Sequence, residues 1–130
     1  VLEELPPEHR IWQAVLLAAA ISPDHDLTRA LDRTERGITN FHSWGDVPHL
    51  VVGTLALGTL DRQHSVSAGA SGFHQPDDLN EAGRNLYATR LHQVPYQWPM
   101  LKSYNGGGHI GPTQRKFVTT WVAPLLTQAQ

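Results

Sequence analysis

The hydrophobic pattern of the chain opens with a run that does not alternate. Val15-Leu16-Leu17-Ala18-Ala19-Ala20-Ile21 is apolar throughout, inside a segment Ile11–Ile21 bounded by Arg10 and Ser22-Pro23. Such a run suits a strand buried on both faces, as in a parallel sheet, with a buried helix as the competing reading because alanine favours helices. Pro23 stops either. Apolar positions then switch to helical spacing: Leu27, Ala30 and Leu31 share one face of a short helix that Asp24 or Asp26 can cap and that ends before Gly37. Ile38-Thr39-Asn40-Phe41-His42-Ser43 reads as a second strand, and Trp44-Gly45-Asp46 turns out of it. Pro48 starts an apolar segment, Leu50 to Leu60, whose Gly53 and Gly58 make it a poor isolated helix that needs packing to hold it. Residues 61–76 are polar and rich in Gly, Ser and His, so they are expected to cross the surface rather than form a central strand. Pro76-Asp77 opens a better helix with Leu79, Ala82, Leu86 and Tyr87 on one face. Leu91–Tyr96 is extended, and Pro95, which lacks a ladder donor, assigns it to a sheet edge. A closing helix has Phe117, Val118, Trp121, Val122 and Leu125 as its buried stripe.

Strands alternating with helices in this order imply an α/β fold: three layers, with a mostly parallel sheet, right-handed crossovers and flanking helices. Val15–Ile21 is apolar on both faces and is expected to be central. The sequence provides one neighbour for it, Ile38–Ser43, and leaves the other side as an unpaired apolar edge. At 130 residues the chain is one small domain or part of a larger one. It starts at Val1 without a methionine, within a helical pattern of Leu2 and Leu5 that Pro6-Pro7 ends, and so reads as a chain entered partway.

Composition narrows the chemistry. A formal net charge of -2 gives no reason to expect nucleic acid or an anionic membrane as partner. The absence of cysteine removes disulfides, thiolate metal sites and cysteine catalysis without fixing the compartment, for which the cytoplasm is favoured. No apolar run reaches the ~18 residues that span a bilayer.

One stretch stands out chemically: Asn105-Gly106-Gly107-Gly108-His109-Ile110-Gly111, followed by Pro112 at a helix start. It sets His109 at a strand-to-helix junction, where a neutral imidazole can take and return a proton. Asp46 ends an earlier strand of the same parallel set, so both residues belong to the carboxyl edge of the sheet, where open α/β sheets bind ligands. A carboxylate there can accept from the imidazole N–H and stabilise the imidazolium. The arrangement then lacks only a nucleophile.

Together, Ile11–Pro23, Phe41-His42-Ser43-Trp44-Gly45-Asp46 and the stretch His92–Leu126 with Gly108-His109-Ile110-Gly111 resemble the C-terminal half of an α/β-hydrolase; residues 47–91 match loosely, as an insertion. The resemblance implies a single, partial α/β-hydrolase domain over residues 1–130. It also implies a Ser-Asp-His triad with Asp46 as acid and His109 as base, a small-molecule acyl substrate such as an ester, and no cofactor or metal. The family places its nucleophile before the acid, in G-x-S-x-G, and that pattern is absent here. The serine is therefore expected upstream of Val1, in an N-terminal half that would also cover the Val15–Ile21 edge if another chain does not. Ser67, in Ser65-Val66-Ser67-Ala68-Gly69, comes nearest to the elbow but follows Asp46 and has no apolar strand before it.

Other readings stay open beside this one. Asp24-His25-Asp26, or His42 with Asp46, could hold a metal, although neither has the helical i, i+4 histidine pair of a zincin. The glycine loop could cradle a phosphate, but lacks the Lys-Ser/Thr ending of a P-loop. Trp44 and Trp98 could line a substrate cleft, with packing as their other reading, as for Trp12 and Trp121. Three function classes follow: the acid-and-base half of an ester hydrolase, a non-catalytic α/β binding module, or a small enzyme using Ser67 or a metal.

Overall fold

A computed structural model describes residues 1–44 and 67–127. Its centre is a three-stranded parallel sheet in the order β1-β2-β3, with β1 at Ala14–Leu17, β2 at Ile38–His42 and β3 at Leu91–Pro95. Ala14 pairs with Ile38, and Ile38 in turn with Leu91, so the strands run in register from one end. β2 is central and almost wholly buried, while among the described residues β3 lies at an edge with Pro95 opposite His42.

Side chains alternate across the sheet and fill two cores. On one face Ala14, Leu16, Ile38 and Leu91 pack with helix α1 (Thr28–Asp32) and with Tyr87 of helix α3 (Glu81–Arg90). On the other face Val15, Leu17, Phe41 and Val94 pack with Met100 of a 3-10 helix, Trp98–Ser103, and with the closing helix α4. The last helix runs through Arg115–Phe117, a π turn at Val118–Val122, and Ala123–Thr127. Phe117 is fully buried and meets Phe41 edge-on at 5.3 Å, a geometry that contributes about 1 kcal/mol beyond area burial. The helices therefore cover both faces of the sheet, which makes the architecture α/β.

Local chemistry accounts for the helix starts. The Asp26 carboxylate accepts from the Thr28 N–H at 2.8 Å and the Thr28 hydroxyl at 2.5 Å, which holds its pKa below the usual value, and Leu27, Ala30 and Leu31 behind it are buried. Helix α3 starts at Glu81, four residues later than Pro76-Asp77 suggests, because Asn80 caps it by accepting from Gly83 N–H. Its inward residues are Gly83 and Tyr87, whereas Ala82 faces solvent. The Tyr87 hydroxyl accepts from the Leu27 N–H at 2.7 Å and so ties α3 to α1.

Two regions differ from the sequence expectation. The apolar run does not continue as a strand to Ile21: β1 is four residues long, Ala18 turns at φ 50, and Ile21 is partly exposed. Among the described residues β1 is also an edge strand rather than a central one. The reason lies in residues 67–73, which are not a surface crossing. Helix α2 (Ala68–Ser71) is a single buried turn wedged against the ends of β1 and β2. Its Ala68 and Gly69 N–H groups donate to the Ile21 and Ala19 carbonyls, and the Gly69 carbonyl accepts from Ser43 N–H, all at 2.8 Å. The Asn40 amide, fully buried in β2, donates to the Ala68 carbonyl at 3.0 Å. Farther on, the Gln93 side chain exchanges two hydrogen bonds with the Phe73 backbone, accepting at 2.6 Å and donating at 2.9 Å. The wedge takes the place that the four remaining residues of the apolar run, Ala18 to Ile21, would need as strand.

Candidate active site

The carboxyl ends of all three strands open onto one edge of the sheet, and the segments that leave them meet there. Asn105 organises the glycine loop. It is buried, and its side-chain oxygen accepts from Gly107 N–H at 2.9 Å; a Cβ at Gly111 would fall 2.3 Å from that same oxygen. The loop is thus drawn around one amide, with Gly107 at φ 82 in the left-handed region that favours glycine. Gly111–Thr113 then forms a short 3-10 turn with Pro112 in its first positions, ahead of α4.

The loop seats directly on the end of β2. The Ser43 hydroxyl oxygen lies 2.9 Å from the point where a Gly107 Cβ would stand. Ala18, His42, Ser43, Gly69, Tyr96, Gly107 and Gly108 are among the residues around a cavity of about 10 Å³, close to the smallest that holds a water. His109 follows on the exposed side of the loop. Asp46, the expected acid, lies outside the described residues.

Two residues of this edge have contacts that sequence reasoning missed, although it weighed one of them, with Asp46, as a metal ligand. Asn105 is one. The other is His42, whose imidazole bonds to the Ala70 backbone while its Nδ1 is buried without a hydrogen-bond partner among the described residues. Burial pushes its pKa below the usual histidine value, against the opposing effect of the Ala70 bond. The signal available in sequence was its parity with Asn40 on β2, which points both side chains toward the face that α2 covers.

The remaining candidates separate. His25 meets Glu3 at 2.9 Å, Asp24 meets His74 at 2.7 Å, and Asp26 is engaged by Thr28, so Asp24-His25-Asp26 shares no centre. Among the described residues no cluster of three or more His, Asp or Glu side chains can hold a metal ion. Ser67 precedes α2 in ordinary extended backbone (φ -76, ψ 159), without the strained turn of a nucleophile elbow. Trp121 stacks on Phe117 and donates to the Ser103 hydroxyl, and Trp12 lies beneath the Arg36 guanidinium. Trp44 and Trp98 are instead exposed. Among the described residues no helix is long and apolar enough to cross a membrane.

No family model, curated protein or solved structure matches the chain.

Proposed function

We propose that this chain carries the acid and the base of a serine hydrolase of the α/β-hydrolase type, acting on esters or related acyl compounds. In this reading Asp46 accepts from one His109 ring N–H, fixing the tautomer. The other ring nitrogen takes the proton of a serine encoded upstream of Val1 and later returns it to the leaving group.

The seating of Gly107 on Ser43 carries the proposal. In sequence Asp46 follows Ser43 by three residues, a tether no longer than ~11 Å, and His109 follows Gly107 by two, ~7 Å at most. Those limits are compatible with a carboxylate–imidazole hydrogen bond of ~2.6–3.2 Å. The described part of the site supports the same reading: its cavity of about 10 Å³ is too small for an acyl group, and in this reading pocket and oxyanion hole come from other residues. The side of β1 that no described strand covers supports it too. The Ala14 N–H donates to the Gly37 carbonyl, and the alternation of a parallel ladder then turns the N–H and C=O groups of Val15 and Leu17 away from β2, toward the place of a further strand.

The test is hydrolysis of a chromogenic short-chain ester by this chain and by the chain extended upstream. Only the extended protein should turn over, with Asp46→Asn and His109→Ala each lowering kcat by about 10⁴-fold. Turnover by the 130 residues alone that is abolished by Ser67→Ala would overturn the assignment of the nucleophile. Tight binding of acyl ligands by the extended chain without any turnover would instead favour a non-catalytic module.

A further inference from the structure

The 3-10 helix Trp98–Ser103 presents a surface that neither the sheet nor the proposed chemistry uses. Side chains three apart eclipse in a 3-10 helix, so this one has rows rather than a graded face. Met100 and Ser103 form the inward row and are buried against α4. Trp98 and Leu101 form the outward row, 80% and 52% exposed, and Tyr104, at φ 63 in the cap, extends it at 69%. Single exposed apolar residues are ordinary, but three large ones in succession are not.

Charge identifies the occupant. Lys102 follows Leu101 and is exposed beside the row, and Lys116 Nζ lies 5.1 Å from the centre of the Tyr104 ring. Among the described residues neither lysine has an acidic partner. In sequence no Asp or Glu follows Glu81, whereas Arg84, Arg90, Lys102, Arg115 and Lys116 do. The net charge of -2 therefore conceals a cationic last third, and with it a reason for an anionic partner that the whole-chain sum does not show.

We propose that this row docks the protein onto anionic lipid bilayers, with Trp98, Leu101 and Tyr104 entering the headgroup boundary and Lys102 and Lys116 facing lipid phosphates. Tryptophan and tyrosine match that boundary because one part of the ring system is apolar and the other end is wet. A neutral apolar partner gives the two lysines, which have no acidic partner among the described residues, no role, and a nucleic acid gives none to Leu101. The row belongs to the segment that follows β3, one of the two outer strands of the described sheet, β1 being the other. This surface is independent of the hydrolase reading.

Co-sedimentation of the full chain with vesicles tests it, using equimolar phosphatidylcholine and phosphatidylglycerol against phosphatidylcholine alone. Binding is expected only to the anionic vesicles, weakening from 0.05 to 0.5 M salt by roughly the loss of surface attraction. Trp98→Ser with Leu101→Ser should lower the partition coefficient at least ~10-fold, and Lys102→Gln with Lys116→Gln about 30-fold. All four side chains are outside the cores, so melting curves should remain unchanged. The difference in emission between the parent chain and Trp98→Phe should shift to the blue on binding. Equal binding to both vesicle types, or retention of binding by both double variants, would overturn the proposal. So would a dimer that the Trp98→Ser, Leu101→Ser variant dissolves, or binding of a single-stranded oligonucleotide in place of vesicles.

Discussion

Two glycine-rich stretches reach the same edge of the sheet and do opposite things there. Ser67–Gly72 goes inward: its glycine at 69 allows backbone to touch backbone, since a Cβ would stand 2.6 Å from Ala18 C and Ala19 N. Asn105–Gly111 goes outward: it rests on Ser43 through Gly107 and leaves His109 exposed. In composition the two look alike. What separates them is the set of partners elsewhere in the chain, because the Asn40 amide and the Ala19 and Ile21 carbonyls draw the first stretch in, while the second folds around its own Asn105.

That contrast is open to measurement. Gly69→Ala should have the largest effect, about 3 kcal/mol of lost stability in urea unfolding, because the obstacle is rigid backbone at the ends of β1. Gly106→Ala, whose Cβ would meet nothing within 4 Å, should stay within about 0.5 kcal/mol. Equal losses for the two would break the distinction. Next in size is Gly107→Ala, expected to cost about 2 kcal/mol, since a side chain is strained at φ 82 and crowds the Ser43 hydroxyl. Combining it with Ser43→Ala should recover about 0.5 kcal/mol, and strict additivity of the two would mean that loop and strand end are not in contact. The smallest effect is on pH dependence. Because burial lowers the His42 pKa, the unfolded chain binds a proton that the folded one refuses as pH falls below about 6.5, and stability falls with it. Comparison with His42→Gln between pH 7.5 and 5.5 should isolate a fall in Tm toward acid that the variant lacks, and parallel curves would show that α2 leaves this imidazole hydrated.

Legibility in the sequence followed the locality of the cause. Helix α1 could be read from the spacing of Leu27, Ala30 and Leu31, although its N-cap is Leu27, without a side-chain cap, rather than Asp24 or Asp26, and β3 was placed at an edge of the described sheet by a property of Pro95 itself. The closing stripe around Phe117 and Val122 needed only the helical period. By contrast, β1 was read too long because its end is set by Gly69, fifty positions away, and nothing within Val15–Ile21 announces the turn at Ala18. The same applies to the site. His109 was conspicuous among its glycines, but the buried Nδ1 of His42 and the anchoring amide of Asn105 acquire meaning only once α2 and the loop are in place.

The register of the sheet has a kinetic consequence. β1 pairs with β2 across 24 positions, Ala14 to Ile38, whereas β2 pairs with β3 across 53, Ile38 to Leu91. Closing the longer loop costs about 0.7 kcal/mol more chain entropy. The first pair is therefore the easier nucleus, with α1 already local to it, and β3 joins afterwards as the step that waits on a long search. A chain assembled in that order exposes the inner edge of β2 for the duration of that search, and a longer connection between Trp44 and Ser67 would raise the closure cost only logarithmically.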